Sequence, residues 1–163
     1  MEKKDRQLLI KDLSARLSYG VRIREYNDKY GWSDGVLSTI TNDYFSEGEP
    51  SIEGNWINRA EDVRPYLRPL SSITDSELYD AAAIMLGGVP YKKADGSWYT
   101  ISHDPFFGEI EQDLDFDYFS KGYYGIKNVD FLNKHHFDYR GLIEKGLALE
   151  APDGMYNTKT EQL

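Results

Sequence analysis

The hydrophobic repeat of the sequence changes abruptly at Gly20, and this change constrains the fold more than any other feature. Before the glycine, leucines recur every four residues from Leu9 to Leu17, which is the spacing of one face of an α-helix. After it, Val21 and Ile23 alternate with two arginines, as in a β-strand with one face in water. The pattern predicts an α+β fold in which an N-terminal helix of about three turns ends at Gly20 and strands follow.

The polar residues of this helix lie off the leucine stripe. Lys11, Asp12 and Arg16 fall on the other faces, so we expect them to be solvated. Beyond the first strand, two stretches rich in β-branched and aromatic residues, 36–41 and 51–57, predict further strands separated by turn residues at 27–28 and 33–35. These strands would form a small antiparallel meander, either curled into an SH3-like barrel or flat beneath the helix.

Local sequence patterns also divide the next part of the chain. Pro65 and Pro69 argue against a central strand and predict an extended or single-turn connector. Thr74 and Glu77 match a capping box, in which the hydroxyl and the carboxylate bind backbone amides at a helix start. We therefore expect a helix from Asp75 to about Leu86.

The remainder predicts a hairpin and short C-terminal helices. Segments 89–92 and 97–102 flank a turn that contains Asp95–Gly96, which indicates a β-hairpin. Asn128 and Asp138 can each cap a short helix, and 147–149 resembles a strand. No clear pattern is present between these elements.

A chain of 163 residues has the length of one ordinary domain. We expect a single compact domain, 1–163, with two lobes at 1–70 and 71–155 and a frayed polar tail at 156–163.

Charge and composition restrict the class of partner. The formal net charge of −9 repels phosphate backbones and favours a protein partner with a basic surface over nucleic acid. The absence of cysteine excludes disulfides and thiolate metal sites. No apolar stretch reaches the ~18 residues of a membrane span, and the N-terminus has no signal-peptide pattern. We therefore expect a cytoplasmic protein, and no motif indicates a cofactor.

Three aspartates alternate with apolar residues at Asp113, Asp115 and Asp117, as at the start of a calcium-binding EF-hand loop. The rest of that loop does not fit, because Tyr118 stands where the loop requires glycine and Tyr124 where it requires glutamate. Such alternation is also typical of an edge strand with its carboxylates in water, which we prefer.

One cluster of side chains suggests a metal-dependent hydrolase. The candidate ligands are His103, Asp104, His135, His136 and Asp138. Adjacent histidines on a helix point about 100° apart, so the two neighbours cannot easily share one ion. Structural or surface histidines are the preferred interpretation.

A third possibility is a stacking surface for single-stranded nucleic acid. Arg22 and Arg24 share one strand face, and aromatic residues lie nearby in the sequence. These aromatics are Tyr19, Tyr26, Tyr30 and Trp32. In so acidic a chain, a solvated face with internal salt bridges explains the arginines equally directly.

Three blocks of sequence resemble a family of small proteins of unknown function encoded by gut-bacterial genomes, their phages and other mobile elements. The blocks are 11–17 with 19–21, 65–72 with Thr74, and 135–152 with 154–156. The resemblance implies a mobile-element context and an intracellular setting, and it supplies no catalytic residue. Our candidate partner-binding residues lie in the second and third blocks: Tyr66, Arg68, His136, Tyr139 and Arg140.

The sequence therefore predicts a non-enzymatic phage or mobile-element accessory protein that binds another protein. The alternatives are a metal-dependent hydrolase and a small-barrel nucleic-acid binder.

Overall fold

The computed structural model describes residues 1–45, 49–86, 89–113 and 126–156. It divides the chain into two compact units: unit 1 comprises Met1–Pro69 and Asn133–Leu163, and unit 2 comprises Leu70–Leu132. The helices are α1 (Lys3–Arg16), α2 (Asp75–Leu86) and α3 (Ile126–Lys134). The strands are β1 (Arg22–Asn27), β2 (Gly31–Val36), β3 (Thr39–Phe45), β4 (Glu49–Glu53), β5 (Ile57–Asn58), β6 (Val63–Leu67), β7 (Val89–Lys92), β8 (Trp98–Asp104), β9 (Gly108–Asp113) and β10 (Leu149–Glu150). The predicted α+β class is confirmed.

The change of repeat at Gly20 is where the chain passes from helix to strand. After α1, a turn of 3₁₀-helix at Leu17–Tyr19 leads to Gly20, whose φ of +64° suits a residue without a Cβ atom. Along β1, Ile23 is buried and Arg24 is exposed, as the alternation predicts. The expectation for the polar face of α1 was wrong in part, because Asp12 and Arg16 are both fully buried.

The strands of unit 1 form two sheets. One has the order β10-β6-β1-β2 and the other the order β3-β4-β5, and the described strands do not close into a barrel. The predicted single strand at 36–41 is divided between the sheets: the Leu37 amide donates to the Val21 carbonyl and the Ser38 amide to the Glu53 carbonyl. Residues 33–35, predicted as a turn, instead belong to β2, and the turn that joins β1 to β2 comes before Gly31. Strand β4 ends at Glu53 rather than continuing to residue 57.

The prediction that Pro65 excludes a central strand was wrong, because Pro65 belongs to β6, which lies between β10 and β1. The Leu67 carbonyl accepts a hydrogen bond from Ala151 on the β10 side, and Pro65, two residues earlier, directs its backbone to the same side. Strand β10 pairs only with Tyr66 and Leu67. The missing amide of Pro65 therefore costs no ladder bond.

The core of unit 1 joins α1, the sheets and the C-terminal segment. Its buried residues are Leu9, Leu13, Val21, Ile23, Leu37, Ile52, Ala60, Val63, Leu67, Leu142, Leu147 and Ala148. Leu142, Leu147 and Ala148 belong to the part of the chain that the sequence prediction assigned to the second lobe, 71–155.

Unit 2 contains the predicted helix and hairpin, with one strand that the sequence did not indicate. The Glu77 amide donates to the Thr74 hydroxyl at 3.3 Å, and Glu77 Oε2 accepts from the Thr74 amide at 2.9 Å, so the capping box at the start of α2 is confirmed. Strand β8 pairs with β7 and with the additional strand β9. Asp113 ends β9, and the other two alternating aspartates lie outside the described residues.

The C-terminal segment is less helical than predicted. Helix α3 begins at Ile126, ahead of Asn128. Asp138 does accept backbone hydrogen bonds, from Leu142 and Ile143 at 2.9 and 2.8 Å, but the residues that follow it form turns, so the second short helix was wrong. No helix of the described residues is long and apolar enough to cross a membrane.

Candidate functional site

A buried ion-pair cluster links α1 to the C-terminal segment. The Asp12 carboxylate accepts hydrogen bonds from Arg16 Nε at 2.8 Å and from Arg140 Nη1 at 2.7 Å. Arg16 Nη2 also donates to the Phe137 carbonyl at 2.7 Å. Since Asp12 and Arg16 are fully buried, each charge depends on the other for stability. The cluster uses two of the three sequence blocks and has a structural role.

The second block joins the same region through Arg68. Its amide donates to the His136 carbonyl, its carbonyl accepts from the Asp138 amide, and its guanidinium lies 4.3 Å from the centre of the Phe137 ring. Residues from all three sequence blocks therefore meet in unit 1.

His136 is buried in this region in an unusual backbone conformation. Its φ is +59°, and its ring stacks on Tyr156 with 3.9 Å between the centroids. Burial, and then the positive charges of Arg16 and neighbouring residues, lower the pKa of His136 to about 4. The imidazole is thus neutral at neutral pH.

The aromatic candidates also make internal contacts. The Tyr66 hydroxyl donates to the Asp34 carboxylate at 2.9 Å, and the Tyr139 hydroxyl donates to Asn133 Oδ1 at 3.0 Å. Tyr156, the first residue of the expected frayed tail, donates its hydroxyl to the Tyr66 carbonyl. All five candidate partner-binding residues therefore have contacts within unit 1: Tyr66, Arg68, His136, Tyr139 and Arg140. Their binding to a partner stays a prediction.

The candidate metal ligands do not form a described site. Asp138 uses both carboxylate oxygens for backbone amides, and His135 stacks on Phe137 with 6.4 Å between the centroids. The side chains of His103 and Asp104 lie outside the described ones. Among the described residues, no group of three or more metal-ligating side chains could hold an ion.

A buried glutamate organises the other end of unit 1. Glu25 is fully buried, and its carboxylate accepts hydrogen bonds from the amides of Asn55 and Trp56 and from Asn58 Nδ2, at 2.8, 3.2 and 2.7 Å. A Cβ atom at Gly54 would lie 2.7 Å from Ile23 Cδ1 and 3.1 Å from Glu25 Oε2, so a larger residue there would displace these buried side chains. Glu25 therefore fixes the turn that leads into β5.

Strand β5, which follows this turn, lines part of a cleft of about 500 Å³. The cleft is lined by Tyr26, Asn27, Asp28, Ile57, Asn58, Arg59, Glu61 and Asp62. Three of these residues carry carboxylates and one carries a guanidinium. Burial, and then the charges of Glu61 and Asp28, raise the pKa of Asp62. Arg6 pairs with Glu61 at 3.7 Å, and Arg59 also lines the cleft, so the lining keeps a small net negative charge. We call it the acidic cleft.

Aromatic rings lie on and near the turn between β1 and β2, whose residues Asn27 and Asp28 line the acidic cleft. Tyr30, 60% exposed, stacks on Trp56 with 5.1 Å between the centroids, and Lys29 Nζ lies 4.9 Å from the centre of the Tyr30 ring. Tyr26 contacts Trp32 at 5.3 Å between the centroids. These rings add apolar contact area next to the carboxylates.

The outer face of β1, β2 and β6 carries positive charge. Arg24 lies directly opposite Arg64 on β6, and its guanidinium is 5.9 Å from the centre of the Trp32 ring. Arg22 shares the face. On β2, Arg24 lies opposite Asp34, whose carboxylate accepts a hydrogen bond from the Tyr66 hydroxyl. Of the arginine and aromatic residues identified in the sequence, Arg22, Arg24, Tyr26 and Trp32 share this face, and nucleic-acid binding stays a prediction.

Sequence reasoning missed the acidic cleft because its residues come from two distant turns. Asp28 follows β1, whereas Glu61 and Asp62 belong to a 3₁₀ turn at Ala60–Asp62. The available clue was the abundance of acidic residues near aromatic ones, which does not specify that they meet.

Comparison with protein-family models, with characterised proteins and with solved structures finds no match to this chain.

Proposed function

We propose that this chain is a non-enzymatic accessory protein of a phage or mobile element and that it binds a protein with a basic segment. The observation that carries the proposal is the acidic cleft, whose lining includes the Tyr26 ring. Its volume of about 500 Å³ is in the range of ligand-binding clefts, and it can take one or two side chains of a partner.

The chemistry of the cleft favours a lysine or arginine side chain. Asp28, Glu61 and Asp62 supply negative charge, and a bound cation would relieve the repulsion among them. The Tyr26 ring, which belongs to the lining, can add a cation–π contact. The net charge of −9 would also accelerate the approach of a basic partner.

The test uses a synthetic peptide of alternating lysine and glycine, with its acetyl-lysine counterpart as an uncharged control. Binding is followed by tryptophan fluorescence, because Trp56 directly precedes Ile57, which lines the cleft. We expect the lysine peptide to bind and the acetylated peptide not to bind. The triple variant Asp28→Asn, Glu61→Gln, Asp62→Asn should weaken binding about tenfold or more.

A matched triple variant separates the cleft from the overall charge. Glu144→Gln, Glu150→Gln, Asp153→Asn removes the same charge from exposed positions of unit 1. It should leave binding within about twofold. Equal weakening by both triple variants, or no binding of the lysine peptide at low salt, would refute the cleft as the binding site.

The biological context needs a separate experiment. The tagged chain and its cleft variant are expressed in the bacterium that encodes the chain, and recovered proteins are compared quantitatively. The proposal expects a partner that is depleted with the cleft variant and a change in phage growth that the variant abolishes. Equal recovery and unchanged phage growth would count against it.

One observation favours a second function, the binding of single-stranded nucleic acid. Arg24 and Arg64 face each other on neighbouring strands beside exposed Trp32, so a phosphate group would relieve their repulsion and a base could stack on the ring. Oligothymidylate binding would then weaken with rising salt and with Arg24→Ser, whereas Lys134→Ser should have no effect. No binding at low salt would exclude this alternative.

A further inference from the structure

One side of the sheet of unit 2 exposes apolar side chains next to the carboxylates of Glu109 and Glu111. The strand register places Val89 opposite Ile101 and Tyr91 opposite Tyr99, so these four side chains share one face. Val89 is 74% exposed and Ile101 is 46% exposed. The opposite face is different, because Pro90 and Thr100 are buried where α2 packs against the sheet.

The turn between β8 and β9 also exposes apolar side chains. Phe106 and Phe107 are 90% and 82% exposed, and the turn returns to β9 at Gly108, which has a φ of +78°. Single exposed apolar residues need no explanation, but several on one sheet and its turn indicate a contact surface. We call these residues, Val89, Ile101, Phe106 and Phe107, the apolar hairpin surface.

Charge identifies the kind of molecule that fits this surface. The two lysines of the hairpin are already paired, Lys92 with Asp75 and Lys93 with Glu111. Glu109, close to the turn, is exposed and adds negative charge. A second copy of this chain, with its net charge of −9, and an anionic membrane would both be repelled.

We infer that the apolar hairpin surface docks into an apolar recess of a partner protein, and that lysine or arginine side chains border this recess. Phe106 and Phe107 enter the recess, and Glu109 pairs with its basic border. Two large aromatic side chains at the centre of a contact, with charged residues around them, are the typical arrangement of a strong protein interface. This inference concerns unit 2 and does not depend on the acidic cleft of unit 1.

The experiment uses the full chain with the photocrosslinking residue p-benzoylphenylalanine in place of Phe106. The same residue in place of Val36, which is 48% exposed in unit 1, is the matched control. Both chains are expressed in the cells whose genome encodes the protein, irradiated, and analysed by mass spectrometry. We expect one protein to crosslink at position 106 and not at position 36. No such position-specific protein would overturn the inference.

The crosslinked protein is then purified and its affinity measured by calorimetry. Phe106→Ser with Phe107→Ser should weaken binding at least about tenfold, and Val36→Ser should change it less than about twofold. Added salt should weaken binding as well, because the border is charged. If the double variant binds with the affinity of the wild type, the inference is overturned. A urea midpoint equal to that of the wild type verifies that this variant is folded.

Two further measurements test the other possible occupants. Sedimentation of the chain alone at micromolar concentration should show no association that the double variant abolishes. Vesicles of phosphatidylcholine and phosphatidylglycerol in a roughly 3:1 ratio should not retain the chain. Self-association through Phe106 and Phe107 would assign the surface to a second copy, and vesicle binding would assign it to a membrane, and either result overturns the inference.

Discussion

The charged residues inside unit 1 have very different neighbours, and their contributions to stability should differ accordingly. Asp12 and Arg16 satisfy each other with no exposed surface, whereas the side chain of Arg140 is 16% exposed. A buried charge that loses its partner is far more destabilising than a lost hydrogen bond at the border.

Asp12→Ala should therefore lower the free energy of unfolding by about 4 kcal/mol, because it leaves Arg16 buried without a carboxylate. Arg140→Ala should cost only about 1.5 kcal/mol, since Asp12 keeps its bonds to Arg16. Urea denaturation measures both values. An Arg140→Ala loss as large as that of Asp12→Ala would contradict this description of the cluster.

His136 should make stability dependent on pH in a defined window. Its pKa is about 4 in the folded protein and 6.5 when unfolded, so the unfolded state binds one proton more between these values. Stability should therefore fall by about 3 kcal/mol as the pH decreases from 7 to 4 through this residue alone.

His136→Asn isolates this contribution, because asparagine tolerates the positive φ of the position. The variant should be less stable than the wild type at pH 7, and the difference should shrink toward pH 4. Tyr156→Phe, which keeps the imidazole and a stacking ring, should retain the wild-type pH dependence. Urea midpoints measured across the pH range test this prediction. Parallel curves of midpoint against pH for the wild type and His136→Asn would disprove that His136 causes the pH dependence.

At the scale of elements, local patterns were predictable and long-range pairings were not. The start of α2 was predicted because Thr74 and Glu77 are three residues apart and form the cap by themselves. The central position of β6 depends on β10, more than 80 residues later in the chain, which no local pattern around Pro65 indicates. The same holds for Asp12, which Arg140 contacts from the C-terminal segment.

The candidate site was less predictable than the fold. The alternation at Arg22 and Arg24 identified the outer face of the sheet, but not that Arg64 would complete it. Strand β9 was missed because Glu109, Ile110 and Glu111 form too short an alternation to distinguish from a loop.

The cap of α2 offers a test at this scale. Thr74→Val keeps the size of the side chain and removes the hydroxyl that accepts from the Glu77 amide, so it should cost about 1 kcal/mol of unit 2 stability. Thr74→Ser should be nearly neutral. Hydrogen exchange of the α2 amides measures the change locally, and full protection in Thr74→Val would show that the cap contributes little.

For the whole molecule, the chain order of the units matters most. Unit 2 is a continuous segment inserted between Pro69 and Asn133 of unit 1. The two sides of the insertion lie close together, because Arg68 pairs with Phe137. The core cluster around Leu9 and Leu142 contains residues of unit 1 only.

Replacement of residues 70–132 by a glycine-serine linker of about six residues should therefore leave unit 1 folded. The shortened chain should keep a cooperative urea transition and the near-ultraviolet spectrum of its packed aromatic residues. A broad transition without that spectrum would mean that unit 1 requires the insertion.

The parallel pairing of β10 with β6 has a consequence for the order of events on the ribosome. Strand β6 is synthesised early, but the Ala151 amide that binds the Leu67 carbonyl emerges only after all of unit 2. The N-terminal half of unit 1 must therefore wait with part of its apolar surface uncovered while unit 2, a continuous segment, can already fold. Nascent chains stalled before residue 140 should consequently bind chaperones more strongly than chains that extend beyond Tyr156.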